Sequence, residues 1–358
     1  MLKCYRTNNR KQTLESINEI LPDCWIDLSE PSQEEIDRVV NMTKVDRELI
    51  EKMLDDDELP RVETDKKATL TVIDVPAFVS QEDKYVTYPL GIIITNNNYV
   101  ITVAPKSVSL LNDFRRGKVK DFRTAKKSRF LIQILNAAAA SYLRVLDEIY
   151  RDIEMKEDTL RASTRNEDLI DLLATEKTLV YFTTSLNEND GVLERLSKGS
   201  VIPLYEGDAD LIDDTIIENR QAIEMAGLYR KILSSITDTY ATVISNNLNN
   251  IMKFLAGITI VLSIPTIISS FLGMNVYFGF IGTEHLSAWV ILGISVLVSI
   301  GVAAWLKKRG MLWWPKLKRE SMRYSPHQSQ SLYRLPDWLS SEFLICSMYI
   351  AYFSSYWC

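Results

Sequence analysis

Hydrophobic positions change their rhythm along this chain, and each change marks a different kind of element. Ala68 to Phe78 (ATLTVIDVPAF) and Leu90 to Ala104 (LGIIITNNNYVITVA) have the β-branched, alternating composition of strands, with Asn96-Asn97-Asn98 as a hairpin turn inside the second. Ser32 to Met53 reads as helical, so residues 1–127 predict an α/β domain. From Ser128 to Arg161 the period lengthens to that of a helix, with Phe130, Ile134, Ala137, Ala138 and Leu146 on one face, and a second helix follows over about 166 to 197. Gly199, Pro203 and Gly207 close this helical region, 128–207. Beyond them no breaker stronger than Gly227 precedes Pro265. Ile212, Ile216, Ile223, Ala226, Leu233, Ile236, Tyr240 and Val243 step by threes, fours and sevens, a coiled-coil-like seam that predicts a stalk helix over 208–250. Stalk and following apolar segment together exceed about 80 Å at 1.5 Å per residue.

The polar rhythm then stops. From Phe254 to Leu306 there is no Lys or Arg, and the only charged residue is Glu284. Ile251 to Leu272 spans roughly 33 Å as a helix, against a hydrocarbon core of ~30 Å, and Ala288 to Leu306 is a second uncharged run of nearly that length. Two helices buried in a large soluble core would share this composition. Two such runs side by side, flanked by Lys253 and by Lys307-Lys308-Arg309 with Lys316, Lys318 and Arg319 beyond, instead predict membrane spans at 251–272 and 288–306. The base-free linker 273–287 then lies outside and both termini lie in the cytoplasm, which makes a multi-pass protein of the cell membrane. Met1-Leu2-Lys3-Cys4-Tyr5-Arg6 has no apolar h-region, so no cleavable signal peptide is expected. Residues 307–358 form a basic cytoplasmic end and then a tail, aromatic and apolar from Trp338 to Cys358, that makes a poor third span and reads as an extension lying at the membrane surface.

Composition narrows the function. A chain of 358 residues is too long for one ordinary core. The net charge of −6 disfavours a nucleic-acid partner. Cys4, Cys24, Cys346 and Cys358 form no C-x-x-C pair, so they imply reduced thiols and neither a disulfide framework nor a zinc knuckle. No phosphate-binding glycine loop is present, so no organic cofactor is expected. Neither His285 nor His327 sits in a metal-ligand pattern and no nucleophile motif accompanies them, which argues against an enzyme.

Two helices cannot enclose a pore, so permeation requires several copies around one axis. Asn249, Met252, Ala256, Thr259, Ser263, Thr266, Ser270 and Gly273 recur at steps of three and four and place small and hydroxyl residues on one face of the first span. Such residues also allow helices to pack closely, and a face packed around an axis lines it as well. Pro265 removes one backbone hydrogen bond and predicts a kink. The span ends in Gly273-Met274-Asn275.

With two C-terminal spans behind a long charged region, that tripeptide closely resembles the signature of the CorA family of divalent-cation channels. Ser245 to Leu255 (SNNLNNIMKFL) resembles the family's inner pore mouth, and Met53 to Glu63 (MLDDDELPRVE) its N-terminal-domain motif. The resemblance covers residues 1 to about 312. It implies a homopentamer with a cytoplasmic α/β domain, a long stalk helix running into the first span and the second span outside. The family's pore-lining positions fall on Asn249, Met252, Leu255, Thr266, Gly273 and Asn275. Ser263 stands where some relatives carry a mid-pore Met, which implies a looser constriction. The acidic outer loop of many members is absent, and Val276 to Ser287 offers Glu284 and His285 instead.

Mg²⁺ prefers six oxygens and gives up its water reluctantly. A ring of Asn275 amide oxygens, one per subunit, can hold the hydrated ion without stripping it, although Asn also suits a helix C-cap. The membrane potential drives uptake, because moving two charges through about 100 mV is worth about 4.6 kcal/mol. Five acids without a base lie in Glu206, Asp208, Asp210, Asp213 and Asp214, and four more in Asp55-Asp56-Asp57-Glu58. Acidic runs are usually only solvated; the resemblance implies regulatory Mg²⁺ between neighbouring cytoplasmic domains, with these acids as candidate ligands. The expected function is passive Mg²⁺ uptake gated by cytoplasmic Mg²⁺, with a Co²⁺/Ni²⁺ or Zn²⁺ transporter, or a membrane-anchored cytoplasmic sensor, as alternatives. A dedicated zinc path would favour His and Cys ligands, which the pore face lacks.

Overall fold

Residues 1–8, 13–79, 84–162, 166–274 and 285–312 are described by the structure, a computed structural model. They divide into two compact units, 1–248 and the residues from Asn249 onward.

The first unit is built on one mixed sheet. Strands β1 (Leu2–Asn8), β2 (Thr13–Ile17), β3 (Trp25–Ser29), β4 (Arg61–Thr64), β5 (Ala68–Val79), β6 (Lys84–Thr95) and β7 (Val100–Ala104) lie in the order β2-β1-β3-β7-β6-β5-β4. All neighbours are antiparallel except β3 and β7, which pair in parallel from Trp25 with Val100 to Ser29 with Ala104. The β6–β7 turn falls at the three asparagines, and Thr95 accepts and donates across it to Tyr99. Four of the seven strands (β1 to β4) lie outside the runs that composition marks, because they are short and two of them, β2 and β4, are edges.

Both faces of the sheet are covered, so the alternating side chains of each strand enter different cores. Trp25, Ile73, Val75, Ile92 and Val100 face one side with Phe114, Phe122 and Phe130. There Trp25 meets the three phenylalanine rings edge-on at centroid distances of 5.3–6.5 Å. Ile26, Leu28, Val72, Ile93, Ile101 and Val103 face the other side, against Ile36 and Val39 of helix α1 (Gln33–Thr43), Ile50 of α2 (Arg47–Lys52) and Met53, the C-cap of α2. Helix α1 begins at a capping box: Ser32 accepts from the Glu35 backbone N–H while Glu35 accepts from that of Ser32.

After the short α3 (Leu111–Arg115) come three long helices: α4 (Lys127–Ala162), α5 (Asn166–Ser197) and α6 (Asp208–Leu272). They share the core of the sheet through Phe130, Ile134, Leu193 and Ile212, and farther along build a core of their own. The seam read from the sequence is the packing face of α6. Ile212, Ala226, Leu233, Ile236 and Tyr240 are buried, Ile216 and Ile223 are partly so, and only Val243 is exposed. Helix α6 is one element that passes through Pro265. Within the second unit it is followed by α7 (His285–Lys308).

Candidate functional site: the bared face of the first span

The apolar part of α6 and helix α7 are both long and apolar enough to cross a membrane, and their apolar windows are only 6 % and 11 % buried. Core helices of a soluble protein would be mostly buried. Leu262, Ile267, Leu297 and Ile300 are each at least 60 % exposed, a surface that water does not tolerate and lipid or further copies of the chain would cover. The two helices return on one another: an added Cβ at Gly257 would lie 3.2 Å from the Leu312 side chain and 3.3 Å from the Met311 carbonyl. Segment 311–312, beyond the end of α7, thus lies beside the start of the first span, as an antiparallel hairpin requires.

The polar face of α6 is bared. Asn249, Met252, Leu255, Ala256, Thr259, Thr266 and Ser270 are exposed and Ser263 is partly so. Met252, Leu255, Ala256, Thr259 and Ser263 line a shallow groove of 560 Å³ with Ile260, Ile264 and Ile267. Its hydroxyls have a common geometry. Thr259 donates to the Leu255 carbonyl at 2.9 Å, Ser263 to that of Thr259 at 2.7 Å and Thr266 to that of Leu262 at 3.3 Å. Each hydroxyl hydrogen is thereby consumed one turn back along the helix, and the oxygen keeps its lone pairs for whatever passes the face. Helical bonding persists to the motif, since Gly273 N–H donates to the Ser269 carbonyl at 2.9 Å. Gly273 and Met274 are both exposed. Asn275, the linker from 276 to 284 and the tail from Trp313 onward lie outside the described residues, while residues 285–287, read as linker from the sequence, form the first turn of α7.

Over residues 23–308 the sequence matches the family described as CorA-like Mg2+ transporter protein. The chain belongs to this family. Among its relatives, the cobalt/magnesium transport protein CorA of Methanocaldococcus jannaschii is 28% identical over 283 residues, 76% of this chain and 86% of the relative. The complete structure of the CorA magnesium transporter from that organism superposes with a TM-score of 0.75 at 26% identity, covering 86% of this chain and 98% of that one. The structure of its soluble domain matches with a TM-score of 0.59 at 27% identity, over 66% of this chain and 95% of the other. The protein is therefore a CorA-type divalent-cation transporter, held in a membrane by two apolar C-terminal helices, and not an enzyme.

In the acidic run from Glu206 to Asp214, Asp208 is engaged within the chain. Asp208 is 2% exposed at the start of α6, where it pairs with Arg129 of α4 at 3.1 Å and accepts from the Tyr205 backbone N–H at 3.2 Å. Its two oxygens hold the helix, which composition alone did not reveal because Arg129 lies 79 positions away. Asp210, Asp213 and Asp214 are exposed. In the other run Glu58 pairs with Arg61 and Asp55 accepts from the Asp57 N–H at 3.1 Å, while Asp56 is exposed. Among the described residues no three His, Cys, Asp or Glu side chains of one chain converge on a point where a metal could sit.

Proposed function

We propose that the protein is a passive Mg²⁺ channel in which five copies surround a pore lined by α6, with Asn275 at its outer mouth and both termini in the cytoplasm. The observation that carries this reading is the row of hydroxyl oxygens at Thr259, Ser263 and Thr266, turned outward on a bared helix with their hydrogens already engaged. Oxygens of this kind replace or hydrogen-bond a hydration shell without the tight grip of carboxylates, so a hydrated Mg²⁺ is held and released. Asn249, Met252, Leu255 and Ser270 extend the same lining, and Gly273 and Met274 bring the chain to the amide of Asn275. The membrane potential supplies the drive. Mg²⁺ on the cytoplasmic side closes the pore by bridging Asp210, Asp213 and Asp214 of one chain to acids of the next, with Asp56 and Asp57 as the other candidates. Co²⁺ is a second cargo in this reading, supported by the cobalt/magnesium transport of the Methanocaldococcus relative.

Reconstituted into liposomes holding a Mg²⁺-sensitive dye, the chain is expected to admit Mg²⁺ when the interior is made negative. Asn275→Ala is expected to abolish that flux while the assembly, followed by size-exclusion chromatography, stays intact. Undiminished flux from the assembled variant would remove Asn275 from the selectivity ring.

A further inference from the structure

One exposed face of α7 is also suited to a ligand. Ser295 and Leu306 are buried and mark the side on which α7 packs. Away from that side Val290, Ile294, Leu297, Gly301 and Trp305, at steps of three and four, form an exposed strip that reaches the flank of the helix at Trp305. At Gly301 the strip is open, since nothing lies within 4 Å of where its Cβ would be, and the backbone there is accessible to an acyl chain. The strip ends in Lys308 and Arg309, both exposed, and the Arg309 guanidinium lies over the Trp305 ring at 5.1 Å.

A helix C-terminus ordinarily repels an anion through its free carbonyls. Here the last turn is closed. Met311 N–H donates to the Leu306 carbonyl at 3.0 Å, Gly310 N–H to that of Lys307 at 3.1 Å and Arg309 N–H to that of Trp305 at 3.0 Å. Gly310, at φ +74°, takes the left-handed turn that this closure requires. Three carbonyls are thus neutralised next to the cations. A stacked guanidinium is held with its fork free for the oxygens of a phosphate, and the ring beneath it sits where a membrane's headgroups meet its hydrocarbon.

We propose that Trp305, Lys308 and Arg309 form a site for the phosphate of an anionic phospholipid whose acyl chain lies along the open strip at Gly301 and Leu297. The adjoining apolar strip favours a lipid over free phosphate, which has no use for it. Lys307 lies on the flank of α7 about 100° from the packing side and outside the strip, so it feels only the general attraction of the surface.

The test is native mass spectrometry of the full chain released from mixed phosphatidylcholine and phosphatidylglycerol nanodiscs. The parent is expected to retain phosphatidylglycerol over phosphatidylcholine. Lys307→Ala is expected to lower that retention at most about fivefold, the value of the general attraction of one base near an anionic surface, and Lys308→Ala and Arg309→Ala each distinctly more. Lys308→Arg is expected to restore it. Excess inorganic phosphate is expected to leave the retained lipid in place. Equal retention of the two lipids by the parent overturns the proposal whatever the variants do. So does an equal loss from Lys307→Ala, which means diffuse charge, or displacement by inorganic phosphate, which means a phosphate site without a lipid.

Discussion

Asp74 shows how one side chain can make the first unit respond to pH. It sits in the middle of β5, where Ser185 of α5 donates to its carboxylate and Asn189 bonds both its backbone N–H (3.0 Å) and its carbonyl (2.9 Å). Burial, outweighing the Ser185 hydrogen bond and aided by the charge of Glu188, pushes its carboxyl up to about 6 from an ordinary 3.8. Tyr142 of α4, fully buried, faces the same pocket, and its phenol is held well above its usual range by burial and then by Asp74. Because the folded state binds this proton more tightly than the unfolded chain, the contribution is complete below the unfolded value and disappears as pH rises through about 6. Between about pH 5 and about pH 8 the site loses roughly 1.4 kcal/mol of stability, the second half of a total of about 3 kcal/mol that begins near the unfolded value. Asp74→Asn keeps an acceptor for Ser185 and removes the titration. Chemical denaturation at both pH values is expected to show the loss in the parent and to show it shrunk in the variant; equal slopes would refute this account of Asp74.

At the scale of elements, the long helices are legible and the sheet is only partly so, for one physical reason. A period of 3.6 repeated through α4 and α6 is a local signal, and these helices bury most of the face that their spacing marks. Strand β3 is fixed by its parallel partner β7, about 75 positions away, and β2 and β4 are short edges with no apolar run, so neither carries a local mark. The candidate site divides in the same way. The spacing from Asn249 to Gly273 displays the polar face of α6, whereas the difference between Asp208 and its exposed neighbours depends on Arg129, in another helix. That ion pair ties the first turn of α6 to α4 and leads to a prediction. Arg129→Ala strands a carboxylate that is 2% exposed with only the Tyr205 N–H for company, and is expected to lower the stability of the full chain in detergent by about 2–4 kcal/mol. Arg129→Met with Asp208→Asn, which removes both charges, is expected to lose distinctly less in thermal unfolding; an equal loss would mean that packing, not charge, holds the turn.

For the whole molecule, what a single chain leaves unfinished defines what assembly must supply. One chain bares the polar face of its first span, which lipid covers poorly, and displays three carboxylates on α6 with no cation among them. The proposed closed ring of copies would answer both needs, since the polar faces would then surround the axis and acids of adjacent chains would come within reach of one hard cation. In the proposed ring, carboxylates brought together this way would repel until Mg²⁺ intervenes, which would couple assembly to the Mg²⁺ response. Native mass spectrometry in detergent is expected to give five copies, and a dimer or tetramer would break the pore as described. In that assembly, replacing Asp210, Asp213 and Asp214 together by Asn is expected to remove the protection that Mg²⁺ gives the first unit against protease. It should also leave reconstituted channels open at Mg²⁺ levels that close the parent. Solvated acids would change neither readout. A pentamer whose triple variant keeps both protection and closure retains the pore and transfers the regulatory role to the run at Asp55 to Glu58, where Asp56 and Asp57 can be tested by the same pair of assays.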